Sequence, residues 1–135
     1  MLVEASVRKV VSNYPEEAQS LFYVLRALLF DVAKHTSQIG KIEETLRWGE
    51  PAYLTSESKS GSTIRIAWNA KVPECMGIYF NCRTTLVESF RKKFGDVLHF
   101  KGNRAIYLPL CETLIDVSII KECFFAALTY HLPGK

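Results

Sequence analysis

No run of apolar residues in this chain approaches the ~20 needed to cross a bilayer as a helix. The candidates Ala27–Phe30 and Phe124–Leu128 are short and lie inside amphipathic patterns. Nor does a basic segment lead into an apolar one after Met1-Leu2-Val3-Glu4, so no secretory signal is read. Cysteine is sparse: Cys75, Cys82, Cys111 and Cys123 show neither CxxC spacing nor a paired framework. That fits reduced thiols in a cytoplasmic protein rather than a disulfide scaffold. The histidines, His35, His99 and His131, stand far apart and include no i, i+4 pair of the kind that holds zinc on a helix.

Ready-made catalytic motifs are missing as well. Ser56–Ser62 is rich in hydroxyls but lacks the GxxxxGK[ST] spacing of a phosphate loop, and no GxSxG nucleophile elbow is present. A strong charge of one sign is absent too. The net charge is +3, and the pI of about 8.7 lies below the range of dedicated nucleic-acid binders. Arg91-Lys92-Lys93, with Lys101 and Arg104 as neighbours, could attract phosphates, but no RNP-type motif or recognition helix accompanies it. It reads as a solvated helix face. Neither a nucleic-acid nor a membrane partner is expected.

What the chain does have is the composition of one ordinary domain: 135 residues, 48% hydrophobic and 23% charged. Ala18, Leu21, Phe22, Leu25, Leu28, Leu29 and Val32 recur at three- and four-residue spacing, which predicts a long helix opened by Pro15-Glu16-Glu17 and closed before Gly40. Val3, Val7, Val10 and Val11 predict a shorter helix before it, and Lys41–Arg47 a further turn or two. After Pro51 the period changes to two. Ala52–Thr55 and Ser62–Asn69 flank a hairpin loop at Ser56–Gly61. Ile64, Ile66 and Trp68 alternate with Arg65 and Ala67, and Ile78 and Phe80 alternate with Tyr79 and Asn81. Such alternation predicts an antiparallel sheet with one packed and one wetter face. Thr85 and Glu88 suggest a capping box for a helix reaching Phe94. Lys101-Gly102-Asn103 suggests a hairpin turn, and Asp116–Tyr130 a last helix. The expected fold is α+β, one compact domain over 1–135, with N-terminal, central and C-terminal helices on an antiparallel sheet.

Large aromatics recur beside Arg, Asn and Gly where strands should end. Arg65, Tyr79 and Asn81 share the wetter face if their strands are neighbours. A guanidinium beside a phenol and an amide suits a carboxylate, a phosphate or a planar polar ligand. Trp48-Gly49-Glu50-Pro51 has two open readings: a pocket wall made by Trp48 and Tyr53, or a rigid turn with Trp48 plugging the core. Cys82, next to Arg83, has two as well. By parity with Ile78 and Phe80 it points into the core as an inert thiol, whereas at a helix start it would be a reactive thiolate with His99 as base. Phe125 and Tyr130 offer an apolar patch on the last helix that would suit a homodimer, or else they cover the sheet in a monomer.

One set of landmarks is distinctive in combination. Glu44-Thr45-Leu46-Arg47-Trp48-Gly49-Glu50-Pro51-Ala52-Tyr53, Tyr79-Phe80-Asn81-Cys82-Arg83-Thr84, Gly102-Asn103-Arg104-Ala105-Ile106 and Ala127-Leu128-Thr129-Tyr130-His131 follow one another over about 15–132. In this order they resemble the YdhG-like family, domain of unknown function 1801. The resemblance implies a small bacterial α+β protein and little chemistry, and one branch is linked to frataxin-like iron delivery. Hard iron ions prefer oxygen ligands. Glu16, Glu17, Glu43, Glu44 and Glu50 would then be the donors, with iron as the cargo. The leading expectation is a non-enzymatic domain that binds a small ligand or partner on the face of Arg65, Tyr79 and Asn81, rimmed by Trp48, Tyr53 and Arg104. Iron handling is the alternative, and a small thiol enzyme using Cys82 is the second alternative.

Overall fold

The computed structural model describes residues 2–133. Among them, four α-helices and six strands follow one another: α1 (Ala5–Val11), α2 (Glu16–Lys34), β1 (Glu43–Arg47), β2 (Glu50–Leu54), β3 (Ile64–Trp68), β4 (Cys75–Tyr79), α3 (Leu86–Phe94), β5 (His99–Lys101), β6 (Ala105–Pro109) and α4 (Val117–Leu128). The strands form one antiparallel sheet in the order β1-β2-β3-β4-β6-β5. The fold is mixed α+β in one compact domain, as the periodicities predict. No helix of the described residues is long and apolar enough to cross a membrane.

The register sorts the side chains cleanly. Tyr53 opposite Ile64, Ile66 opposite Ile78, and Ile78 opposite Ile106 point to one face. There they join Val7, Leu21, Phe22, Leu25, Leu29 and Phe124 of the helices in the apolar core. Arg65 opposite Tyr79, and Gly77 opposite Tyr107, point the other way. No side chain of that second row belongs to the core, so the helices lie on one side and leave the other face open. An antiparallel sheet tolerates this because its strands can alternate apolar and polar residues.

Two local expectations are corrected. Lys41–Arg47 does not extend the helical region: Glu43–Arg47 is the edge strand β1, paired with β2 through Leu46↔Pro51 and Arg47↔Glu50. Helix propensity in Glu-Glu-Thr-Leu is a weak preference, and pairing across a two-residue turn at Trp48-Gly49 overrides it. Pro51 fits a strand here because the β2–β3 ladder begins only at Ala52, so its missing N–H breaks no rung. The Thr85/Glu88 capping box does not form either. The Thr85 side chain caps nothing, its N–H donates to the Tyr130 hydroxyl at 3.1 Å, and Glu88 faces Lys92 instead.

A buried ion pair joins the two layers. Arg26 of α2 and Glu44 of β1 are 2.6 Å apart, with side chains only 9% and 7% exposed. The Glu44 carboxylate also accepts from the Tyr53 hydroxyl at 2.7 Å and the Glu4 N–H at 2.9 Å. Arg26 in turn donates to the Leu2 carbonyl and lies 4.6 Å from the Phe30 ring centroid. Burial alone would raise the Glu44 pKa, but the hydrogen bonds from Arg26, the Glu4 N–H and Tyr53 together hold it below its ordinary 4.5. Because that pKa is depressed in the folded state, the pair stabilises the protein above the ordinary carboxylate range, and this contribution is lost as pH falls through the folded value. Glu44→Gln, which strands the Arg26 charge, is therefore expected to cost about 3 kcal/mol near pH 7. Urea unfolding measured from pH 7 to 3 checks this: the gap between wild type and variant should close as pH drops below 4.5. A gap that stays constant would show that the charge contributes nothing.

Candidate functional site

The open sheet face is where the sequence breaks local rules. Trp48 and Gly49, the two central residues of the β1–β2 turn, both have positive φ, 51° and 74°. Such a turn matches the twist of a hairpin but favours Asn, Asp or Gly at its first central position. A tryptophan there is strained by roughly 1 kcal/mol, and its side chain is 86% exposed. It does not plug the core.

Trp48 instead leans toward Arg65. The Arg65 guanidinium lies 5.2 Å from the Trp48 ring centroid and 4.9 Å from that of Tyr79. It also forms a salt bridge with Glu50 of the neighbouring strand. Tyr79 meets Tyr107 edge to face, with centroids 6.4 Å apart. Burial, and next the Tyr107 hydroxyl, raise the Tyr79 pKa above its ordinary value, so the phenol stays protonated. The floor beneath is made of small residues, Ala52, Ala67, Gly77 and Ala105, all buried. A Cβ on Gly77 would come within 2.5 Å of the Tyr79 ring. The ring thus lies along the sheet rather than standing off it, and glycine is what permits this.

Together Trp48, Thr63, Arg65, Tyr79, Asn81, Cys82 and Arg104 line a cleft of about 470 Å³. Five of the six residues expected to bind meet here. The sixth, Tyr53, does not: its register opposite Ile64 turns it to the core face, where it is fully buried and bonded to Glu44. Cys82 is also misplaced by parity. Strand β4 ends at Tyr79, so alternation no longer applies three residues later, and Cys82 is exposed at the cleft while Cys123 is the buried thiol. His99 lines a different cavity, beside Tyr107 and Leu114, so no Cys82–His99 pair is assembled. Thr63 and Phe80 are the lining residues that the sequence does not single out; for Thr63, parity with Arg65 is the available signal.

Larger hollows exist, one of about 680 Å³ beside Phe30 and Lys41, but Arg26 and Asp31 in its wall already pair with Glu44 and Lys121. The five expected iron ligands do not converge. Glu16 and Glu17 lie in the first turn of α2, Glu43 accepts from the Ser56 hydroxyl, Glu44 is buried against Arg26, and Glu50 pairs with Arg65. Among the described residues no three His, Cys, Asp or Glu come together as metal ligands. The basic run is engaged as well: Arg91 donates to the Gly102 carbonyl, Lys92 faces Glu88 and Lys93 pairs with Glu122. Phe125 of α4 is 42% exposed, and Tyr130, just past the end of that helix, is half-buried with its hydroxyl accepting from the Thr85 N–H.

Comparison with protein-family models, with curated proteins and with solved structures gives no match to this chain. The site therefore rests on its own geometry. If Trp48 serves binding rather than folding, Trp48→Asn should leave the melting temperature unchanged or raise it slightly. Relief of the turn strain offsets the lost cation–π contact, each worth about 1 kcal/mol or less. Thermal unfolding decides, and a loss above about 1 kcal/mol would make Trp48 a packing residue. Gly77→Ala should cost about 1–3 kcal/mol by overpacking against Tyr79. A Tyr79 fluorescence and stability profile equal to wild type would refute that arrangement.

Proposed function

We propose that this protein is a YdhG-like, cytoplasmic domain that binds a small ligand or a partner on its open sheet face and carries out no chemistry of its own. One observation carries the reading: the Arg65 guanidinium held between the Trp48 and Tyr79 rings on the uncovered side of the sheet, with Trp48 kept exposed at a conformational cost. Protein surfaces rarely maintain a strained, exposed tryptophan, and aromatic and arginine side chains are the groups that dominate recognition sites. The groups lining the cleft are ring faces, hydrogen-bond donors and the Cys82 thiol, and no carboxylate or imidazole stands among the lining residues to take a proton. That supports binding over catalysis. The kinship with the YdhG-like family rests on the sequence landmarks alone, and its iron-delivery branch draws no support from carboxylates already committed to Arg26, Arg65 and Ser56.

An NMR screen of the labelled protein against a library of small polar metabolites tests the location. Saturable hits should shift the Trp48 indole N–H and the Asn81 amide. Arg65→Ala should weaken every such hit at least tenfold while costing only about 1 kcal/mol of stability, since the Glu50 pair and both rings are part-exposed. Hits that map instead to the hollow beside Phe30 and Lys41 would refute this placement.

A further inference from the structure

The cleft has an asymmetry of charge and hydrogen bonding that narrows what it can hold. Arg65 is already neutralised by Glu50. Arg104 is not: it is exposed, lines the cleft, and its guanidinium has no hydrogen bond or ion pair among the described residues. Its backbone is fixed all the same, because the Arg104 carbonyl accepts from the Phe80 N–H at 2.7 Å and ties the residue to the end of β4. Asn81 is oriented as well. Its side-chain oxygen accepts from the Arg83 N–H at 2.9 Å, which leaves the amide NH₂ as a donor. The Thr63 hydroxyl adds another donor on the same lining. The cleft therefore offers several donors and one uncompensated cation, with no carboxylate in its wall. The same lining includes the ring of Trp48, which is 86% exposed.

We propose that the cleft takes a flat ring bearing a carboxylate or phosphate, with Arg104 as the anion anchor and Trp48 as the stacking wall. This rests on the reading of the open face as a binding surface and adds the class of ligand. A guanidinium engages the paired oxygens of a carboxylate or phosphate in two parallel hydrogen bonds. An indole stacks on any planar ring regardless of its substituents. Arg65 then serves as a positioning residue: bonded to Glu50 and lying against both rings, it holds Trp48 at the edge of the cleft rather than binding the anion. The volume of about 470 Å³ suits a molecule of that size.

The test uses the full chain labelled with ¹⁵N. Its two indole N–H signals are separable in kind, since Trp68 donates to the Pro73 carbonyl at 2.9 Å and Trp48 faces solvent. Adenosine 5′-monophosphate and benzoate are titrated as ring-bearing anions, adenosine as the ring without charge, and inorganic phosphate as the charge without a ring. The expected result is saturable movement of the Trp48 signal by at least one ring-bearing anion, with Trp68 unmoved and with adenosine and phosphate at least tenfold weaker. Which of the two anions binds distinguishes a phosphate from a carboxylate ligand. Arg104→Ala should weaken binding at least tenfold with the spectrum otherwise intact. Binding of phosphate as tight as that of the ring-bearing anions, an Arg104→Ala variant with unchanged affinity, or no saturation by either ring-bearing anion would overturn the assignment. In the last case metabolite hits on Asn81 and Trp48 would still uphold the wider reading, so the two fail separately.

Discussion

The buried pair of Arg26 and Glu44 is the constraint on which the geometry of the open face depends. A carboxylate with four hydrogen bonds in a nearly water-free site cannot be turned outward without leaving Arg26 stranded. Glu44 must therefore face the helices, and in a strand that sets the direction of every other side chain in β1. With Glu44 inward and opposite Tyr53, the hairpin closes after Arg47 and reaches its turn at Trp48. The same pairing runs on through Tyr53 opposite Ile64, which leaves Arg65 facing out beneath that turn. An interaction in the core thus decides that a tryptophan and an arginine meet on the far side of the sheet.

The open face is assembled on a different principle. The core side is apolar and close-packed, with isoleucines opposite one another along the central strands. The outer side has a floor of alanine and glycine under a thin cover of Arg65, Tyr79 and Tyr107. Side chains that lie along the sheet shield the floor from water while keeping polar tips available. This gives a surface that is dry enough to stack a ring and wet enough to hold a charge. Some charges elsewhere are drawn into internal pairs: Asp31 with Lys121, Lys93 with Glu122, Arg91 with the Gly102 carbonyl. Within the cleft, the Arg104 guanidinium has no such partner among the described residues.

Much of this was legible from residue order. Period 3.6 in Ala18–Val32 and period 2 in Ile64–Trp68 and Met76–Phe80 report which face is buried, because burial is what imposes the period. Parity alone places Arg65 and Tyr79 on one face. The errors fall where the period is short or interrupted. Glu43–Arg47 carries only one strongly apolar residue, so nothing local distinguishes a strand from a helical turn. Tyr53 is close in sequence to Trp48, but its partner across the strands decides its direction. Parity with Ile78 and Phe80 fails for Cys82 because the strand ends at Tyr79.

The sequence by itself determined the class of fold, the number of layers, the hairpins at Ser56–Gly61 and at Lys101–Asn103, and the presence of aromatic and cationic groups on one sheet face. These follow from local chemistry and periodicity, which any stretch of ten to twenty residues carries within itself. Only the tertiary structure decided that β1 exists, that Glu44 is spent on Arg26 and Glu50 on Arg65, and that Trp48 is exposed over Arg65 while the Arg104 guanidinium has no partner among the described residues. Each of those depends on residues that meet across strands or between sheet and helix. Such meetings are set by register and packing, which no local pattern encodes.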